Sequence, residues 1–290
     1  MEVLLQSLAN GITLGGLYAL VAVGMTLIFG VMRIINLFHG ELVMVGMFIA
    51  FALLEFLRID PLMATPFVAL AMFALGLLMY RCLLHPIRHQ PHMNQAILTM
   101  GVSIVLFTSF QYAFTSNYRP VRTPSTDIIV NLGAITTNLH YLLSLVAILV
   151  ITFLLYLLLM RTDVGRAIRA SAADPNTALL MGIDVNMISM VTFGIGSAAA
   201  GAAASLLLPI YTLYPGVGVH FLGKSFTVVV LGGMGSVTGA VLGGVILGVV
   251  ESMSSVYVSA SVANMLGFVI FIAILLFRPA GILGRSLGRV

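Results

Sequence analysis

Residues 232–248 read GGMGSVTGAVLGGVILG and carry the strongest structural signal in the chain. The stretch is apolar enough to lie in a bilayer, yet small residues recur at every fourth position in two parallel series. The first series is Gly235, Gly239 and Gly243, and the second is Ser236, Ala240, Gly244 and Gly248. Small residues at this spacing let another helix approach closely. Because the glycines at 232–236 are poor helix formers, the sequence predicts a tightly packed membrane helix that begins after a chain break.

The composition places the whole chain in a membrane. Of its 290 residues, 60% are hydrophobic and 8% are charged, and the mean hydropathy is +1.14. Soluble domains carry about 25% charged residues, so a sizeable soluble domain is excluded. The apolar stretches are about 20 residues long, the length of a membrane-spanning helix rather than of a barrel strand. We therefore predict an all-α polytopic membrane protein in which 1–290 form one transmembrane domain.

The positions of the charges indicate how the chain is oriented. Apolar runs lie at about 8–30, 36–57, 62–84, 94–116, 139–160, 187–208 and 258–277, with the glycine-rich region before the last. The loops after the first, third and fifth runs hold more arginines than the loops on the other side, which predicts that they face the cytoplasm. The N-terminus then lies outside, and its lack of a basic region indicates a retained helix rather than a signal peptide.

The number of membrane crossings conflicts with the charges at the C-terminus. Arg278, Arg285 and Arg289 favour the cytoplasm, although eight crossings from an outside start would end outside. A short half-span from about 219 to 231, ending at the glycine break, supplies the missing crossing. We therefore predict eight to nine transmembrane helices, nine with this broken half-helix. The segment 117–138, rich in proline and polar residues, is predicted to be the longest external loop.

The most polar segment between two spans is 161–186, which we call the polar hairpin. Residues 166–173 are good helix formers, Asp174 with Pro175 is typical of a helix start, and Gly182 is typical of a helix end. The pattern predicts two short helices outside the membrane. Such a hairpin is suited to docking against another protein, and a plain solvated connector is the alternative.

Four segments follow one another along nearly the whole chain: 35–41 (INLFHGE), 165–170 (GRAIRA) with 180–183 (LMGI), 223–236 (GKSFTVVVLGGMGS) and 278–284 (RPAGILG). Each is weakly specific alone. Together they resemble the permease subunits of ATP-binding-cassette importers for branched-chain amino acids. Some members of this family import urea, amides or other small solutes, so the resemblance does not identify the substrate.

The resemblance implies that the polar hairpin is the segment that couples the permease to its ATPase. The implied coupling residues are Gly165, Arg166, Ala167, Arg169, Ala170, Asp174, Ala178 and Gly182. The implied partners are two ATPase subunits, a second homologous permease and an extracytoplasmic solute-binding protein, with the lipid bilayer around them. No nucleic acid and no cofactor is expected, and the implied location is the bacterial inner membrane.

A second group of residues is expected to line or gate the transport pathway. Its members are Asn36, His39, Gly40, Glu41, Lys224, Gly232, Gly233 and Gly235. A continuous helix would place Arg33 and Glu41 on one face, near the inner surface, where they are expected to pair. Lys224, the one lysine of the chain, is expected at the external surface, and Glu251 at a solvated span end.

Four other functions are weaker interpretations of the sequence. Residues 218–225 match the phosphate-loop pattern, but apolar spans flank them where that loop requires a strand and a solvent-facing helix. His85, His89 and His92 belong to a basic loop interrupted by prolines, which argues against a metal site. An ion-coupled transporter or channel is the leading alternative, although acidic residues are nearly absent from the predicted spans. An intramembrane enzyme lacks a paired nucleophile and base.

Overall fold

Hydrophobic helices form almost the entire structure. The computed structural model describes residues 2–133, 135–278 and 280–283. Within these residues, seven helices are long and apolar enough to cross a membrane, and two further apolar helices are shorter. The prediction of an all-α polytopic membrane protein with a broken half-helix is confirmed. Arg285 and Arg289, which contributed to the predicted orientation of the C-terminus, lie outside the described residues.

The elements follow one another along the described part of the chain. They are α1 (Glu2–Met32), α2 (His39–Leu57), α3 (Pro61–Met79), α4 (His92–Phe114), α5 (Pro124–Asp127), β1 (Ile129–Leu132), β2 (Ile135–Asn138), α6 (Leu139–Arg161), α7 (Asp163–Ala173), α8 (Pro175–Leu180), α9 (Val185–Leu207), α10 (Val217–Gly232), α11 (Val237–Tyr257) and α12 (Ala260–Phe277). A π-turn at Tyr80–Leu84 and a 3-10 turn at His85–Ile87 extend α3.

The two small-residue series of α11 each face a different neighbour. A Cβ added at Gly248 would overlap the backbone of Gly15 on α1, and one at Gly244 would overlap Ala19. On the other series, a Cβ at Gly239 would overlap the carbonyl group of Gly232, at the end of α10. α11 thus makes close backbone contact with both α1 and α10, as small residues at every fourth position predict.

Two helices occupy the centre of the bundle. Of the most apolar 18 residues in α1 and in α9, 83% are buried inside the chain, whereas the same measure for α4 is 6%. The centre therefore consists of α1 and α9, with α2, α3, α10 and α11 packed against them. The faces of α4 and α6 that the chain does not cover are apolar, as lipid-facing surfaces are.

The predicted half-span is α10, which ends at the glycine break. Its 16 residues cover about 24 Å at 1.5 Å per residue, short of a bilayer core of about 30 Å. Gly233 and Gly235 have φ angles of 100° and 83°, a conformation that side-chain-bearing residues avoid. The amide groups of Ile282 and Leu283 donate to the carbonyls of Leu231 and Gly232 at 2.9 and 3.1 Å. The C-terminal segment thereby satisfies carbonyls that the end of α10 leaves free.

The region around Arg33 differs from the prediction. α1 ends at Met32, Arg33 has a φ of 53°, and the next regular element begins at His39. Arg33 and Glu41 therefore do not share a helix face. Arg33 is exposed and Glu41 is buried, so the expected ion pair between them is wrong.

The predicted external loop at 117–138 is partly structured. It contains α5 and a hairpin in which Ile129 pairs with Asn138 and Leu132 with Ile135. Arg119 also pairs through its backbone with Leu213, which ties the loop to the segment before α10. The loop is therefore anchored to the bundle rather than free.

The close approach of α1 and α11 predicts the effect of a larger residue at position 248. Gly248→Val should force the two helices apart, because valine atoms would occupy the space of the Gly15 backbone. Overpacking of this kind costs about 1–3 kcal/mol. We expect a lower thermal midpoint in detergent, measured by fluorescence-detected size-exclusion chromatography. Ile246→Val, on an exposed face of the same helix, is the control. Equal midpoints for the two variants would contradict the packing.

The orientation of the bundle predicts which ends are accessible from outside the cell. In a Cys82→Ser background, a cysteine replacing Thr177 in α8 should react with a membrane-impermeant maleimide only after cell lysis. A cysteine replacing Thr212, in the segment before α10, should react in intact cells. Both side chains are exposed in the structure. The reverse labelling pattern would overturn the predicted orientation.

Candidate functional site

The polar hairpin is built from two helices whose starts are capped by side chains. The Thr162 hydroxyl accepts from the amide of Gly165 at 3.0 Å at the start of α7. The Asp174 carboxylate accepts from the amide of Asn176 at 3.0 Å at the start of α8. Each cap satisfies an amide that the first helical turn leaves free. The predicted pair of short helices with Asp174 at their junction is therefore confirmed.

Asp174 joins the two helices and has a low pKa. The Thr177 hydroxyl, followed by the amide of Asn176, lowers the pKa of its carboxyl group, because both donate to the charged form. The carboxylate is thus ionised at neutral pH and keeps its capping bonds. At the other end, Gly182 adopts a φ of 81°, which ends α8 and turns the chain toward α9.

The base of the hairpin is fixed to the end of α6. A Cβ added at Gly165 would overlap the carbonyl groups of Leu158 and Leu159, so only glycine fits there. The Arg169 guanidinium donates to the carbonyl of Leu159. Ile168 and Ala178 are buried beneath the two short helices. The hairpin is consequently a rigid extension of the membrane helices.

The predicted coupling residues fall into two groups. Gly165 and Ala178 are buried and support the hairpin, whereas the others present at least part of their surface to solvent. This partly or fully exposed group comprises Arg166, Ala167, Arg169, Ala170, Asp174 and Gly182. Arg166 forms an exposed ion pair with Asp163, a pairing that contributes little stability at a surface.

The end of α8 is apolar, a feature that the sequence did not predict. We call residues 179–181 the apolar tip. Leu180 and Met181 are 87% and 78% exposed, and Leu179 is 54% exposed. Three consecutive apolar side chains at the end of a polar, solvent-facing helix are typical of a contact surface. The signal in the sequence was LLM directly before Gly182, inside a segment that otherwise carries polar and small residues.

The first group of pathway candidates lies deep in the bundle. The Nε2–H group of His39 donates to the carbonyl of Val21 at 3.0 Å, so α2 begins beside the middle of α1. A Cβ at Gly40 would overlap the carbonyl of Gly218 on α10. Asn36 and Glu41 are 1% exposed. These residues are brought together where α1, α2 and α10 cross, rather than at the surface next to the loop.

The second group of pathway candidates forms the break itself. Gly232, Gly233 and Gly235 connect α10 to α11 in the conformation described above, and Gly235 lies against Gly30 near the end of α1. The structure therefore places these three glycines at one end of the bundle. They are separate from the deep cluster around His39.

Lys224 and Glu251 differ from their predicted positions. Lys224 is 6% exposed and Glu251 is 8% exposed, because α11 continues past Glu251 to Tyr257. The Lys224 ammonium group donates to both carboxylate oxygens of Glu251 and, at 2.8 Å, to the side-chain oxygen of Asn264. Its nitrogen lies 4.9 Å from the centre of the Tyr18 ring. A buried ion pair thus replaces the expected surface lysine.

The phosphate-loop pattern and the histidine loop have other structural roles. Residues 218–225 lie inside α10, in a helix rather than in a loop between strand and helix. The Arg88 guanidinium bonds to the ring and the carbonyl of His85, within the turn that follows α3. No group of three or more metal-ligating side chains converges among the described residues.

Comparison with known proteins identifies the family. The family described as branched-chain amino acid transport system, permease component, matches residues 7–276. A Pseudomonas aeruginosa protein named high-affinity branched-chain amino acid transport system permease protein BraD is 35% identical, over 97% of this chain and 96% of its own. The Escherichia coli permease LivH of the same description is 36% identical over 97% and 96%. A Methanocaldococcus jannaschii protein named probable branched-chain amino acid transport permease protein LivH is 28% identical over 96% and 91%.

No solved structure matches the chain. The family match covers nearly all the hydrophobic helices and the whole polar hairpin, and the relatives extend over the full length of the bundle. The chain therefore belongs to the branched-chain amino acid transport permeases, the membrane-spanning components of ATP-binding-cassette importers, and is a multi-pass protein of the bacterial inner membrane.

Proposed function

We propose that this chain imports branched-chain amino acids as one of two permease subunits in a complex with two ATPase subunits and an extracytoplasmic solute-binding protein. The observation that carries the proposal is the polar hairpin with its exposed apolar tip, in a chain of this family. The chain itself catalyses no reaction in this proposal. ATP is hydrolysed on the separate subunits, and the hairpin transmits their motion to the membrane helices.

The contacts of the hairpin support this mechanical role. Its base is fixed to α6 through Gly165 and Arg169, and its far end passes through Gly182 directly into α9, which Asp184 caps. Because α9 lies at the centre of the bundle, a displacement of the hairpin acts on the central helix without a flexible linker between them. Motion between two discrete packings is how such importers switch access.

The exposed tip is suited to a cleft in a partner protein. Leu180 and Met181 offer large apolar side chains that touch little of their own chain. Apolar anchors that fill a partner's pocket dominate the affinity of many interfaces. Elsewhere on the hairpin, Arg166, Arg169 and Asp174 are exposed charged residues, and charges outside an apolar anchor contribute orientation more than affinity. The coupling set implied by the sequence is thus extended to Leu179, Leu180 and Met181.

A second permease subunit is supported by what a polar solute requires of its path. A path for a polar solute cannot be lined by lipid, because lipid offers no hydrogen bonds. The path therefore requires protein on both sides, which a homologous partner supplies.

The apolar tip predicts the effect of a charge placed on it. Leu180→Asp should weaken association with the ATPase, because an unpaired carboxylate would enter the partner's cleft. Losing an anchor of this kind costs about 2 kcal/mol or more, or about 30-fold in affinity. The measurement is the amount of ATPase that co-purifies with the tagged permease in detergent.

The matched control for this experiment is Asn176→Asp, which adds the same charge to an exposed position on the same short helix. It should leave co-purification unchanged. Equal recovery of ATPase with both variants would contradict the docking role of the tip, provided that both permeases reach the membrane in wild-type amounts.

The whole transport proposal predicts what drives uptake. Proteoliposomes that hold this chain, its partner permease and the ATPases should accumulate labelled L-leucine only with ATP and the binding protein present. Accumulation driven by a proton or sodium gradient without the ATPases would overturn the proposal. The control is a complex with an ATPase variant that binds ATP without hydrolysing it, which should not accumulate leucine.

A further inference from the structure

The buried ion pair is placed where four helices meet. Lys224 comes from α10, Glu251 from α11, Asn264 from α12 and Tyr18 from the middle of α1. Among the described residues, the ion pair of Lys224 with Glu251 is buried, whereas that of Arg166 with Asp163 is exposed. The ion pair therefore sits at the junction between the half-helix and the helices that surround it.

Packing alone does not account for this pair. Moving two charges out of water costs several kcal/mol each, and replacing a buried pair by apolar residues of similar volume is often neutral or stabilising. Ionisable groups inside membrane proteins are rare and usually mark a pathway for a polar solute. Burying the pair therefore costs desolvation free energy that a purely structural role would not require.

A cavity lies at the start of α10, where His220, one helical turn before Lys224, forms part of its wall. It has a volume of about 260 Å³ and is lined by Tyr118, Tyr211, Thr212, Tyr214, Val217 and His220. Its walls combine aromatic rings with tyrosine and threonine hydroxyls and an imidazole, so they offer a small ligand both apolar surface and hydrogen-bonding groups. The Nε2 atom of His220 is buried in this wall and has no hydrogen-bond partner.

Two tyrosines separate the cavity from the ion pair. Tyr211 lines the cavity and its ring packs 5.6 Å from that of His220. The Tyr211 hydroxyl bonds to the hydroxyl of Tyr18, and the Tyr18 ring covers the Lys224 ammonium group. These two side chains therefore stand between the cavity and the charged pair.

We propose that Lys224, Glu251 and the adjoining cavity form a binding site for a free amino acid in its zwitterionic form. The substrate carboxylate takes the place of Glu251 on Lys224, and the substrate ammonium group binds the released Glu251 carboxylate. The aromatic walls around Tyr211 and Tyr214 receive the aliphatic side chain. Tyr18 and Tyr211 act as the partition that opens when substrate enters.

The proposal rests on the proposed transport function and narrows its substrate class. A pair of opposite charges is matched by a zwitterion, whose two charged groups satisfy both residues at once. A neutral solute such as urea or an amide would break the pair without replacing either charge, which costs several kcal/mol. Lys224 and Glu251 are therefore the residues that would discriminate an amino acid from a neutral solute.

The deciding variant removes both charges together. Lys224→Met with Glu251→Met leaves no unpaired charge, so the complex should assemble and keep a thermal midpoint equal to or above that of the wild type. ATP-driven uptake of L-leucine in proteoliposomes should fall at least tenfold. Thr227→Val, a buried polar change one turn away on α10 whose hydroxyl bonds only within the helix, is the control and should transport normally.

The outcomes separate this proposal from the one it rests on. A double variant that transports leucine as well as the wild type overturns the zwitterion site and leaves the transport function standing. A wild-type complex that carries no leucine overturns both. If the double variant fails to assemble, the shape-conserving Glu251→Gln decides: a large loss of uptake supports the site, and uptake within twofold of the wild type overturns it.

Direct binding tests the charge requirement itself. The wild-type complex in detergent, without binding protein, should retain labelled L-leucine, and the double variant should not. Two competitors carry one charge each: 3-methylbutylamine, which lacks the carboxylate, and 4-methylpentanoate, which lacks the ammonium group. Each should compete at least tenfold more weakly than unlabelled leucine. If either compound competed as well as unlabelled leucine, the site would not recognise both charges, and the proposal would be wrong.

Discussion

The backbone contact between α1 and α11 is the constraint on which the rest of the bundle depends. In a bilayer, apolar side chains gain nothing by leaving lipid for protein, so helices associate where small residues let their backbones meet. Gly15 and Gly248 meet in this way, and Gly239 meets Gly232 on the other face of α11. Because α11 is held between α1 and α10, the half-helix is kept against the centre of the bundle, and its lysine lies over Tyr18.

Irregular backbone inside the bundle follows from the same geometry. The segment between α1 and α2 brings His39 to the carbonyl of Val21, and the start of α10 lies against Gly40. Two helix starts therefore lie within the protein, and such interruptions are tolerated where protein covers them. The end of α10 is covered in turn by backbone bonds from residues 282 and 283. Discontinuous helices of this kind are typical of transporters, where they border the solute path.

Much of the architecture was predictable because hydrophobicity along the chain reports the bilayer directly. The apolar runs gave the helices, and the caps at Asp174 and Gly182 gave the hairpin, since both depend on residues that are neighbours in sequence. The missed features depend on distant partners. Lys224 is buried because Glu251 and Asn264, on two other helices, accept hydrogen bonds from its ammonium group. A hydropathy argument treats each charge alone and places it at a surface.

The error at Arg33 has a different physical origin. Helices commonly end at glycine or asparagine in a left-handed conformation, but here an arginine adopts a φ of 53°, and no glycine or proline marks the end of α1. The helix ends because Asn36 and Phe38 are buried in the bundle, where the side-chain Oδ1 of Asn36 accepts from the Phe38 amide at 3.2 Å. Tertiary packing thus overrides a locally favourable helix, and a pattern read along one helix cannot reveal it.

The hairpin and the ion pair lie in different parts of the molecule, but both act on helices that meet α1. The hairpin continues into α9, and the ion pair joins α10 to α11 and α12. In the proposed mechanism, a displacement of α9 changes its packing on α1, and α1 carries the tyrosine that covers Lys224. A closely packed interior transmits such a shift because it leaves little free volume to absorb it. In this mechanism, the packing of α9 on α1 is the route by which an ATPase docked at the hairpin would act on a solute bound at the ion pair.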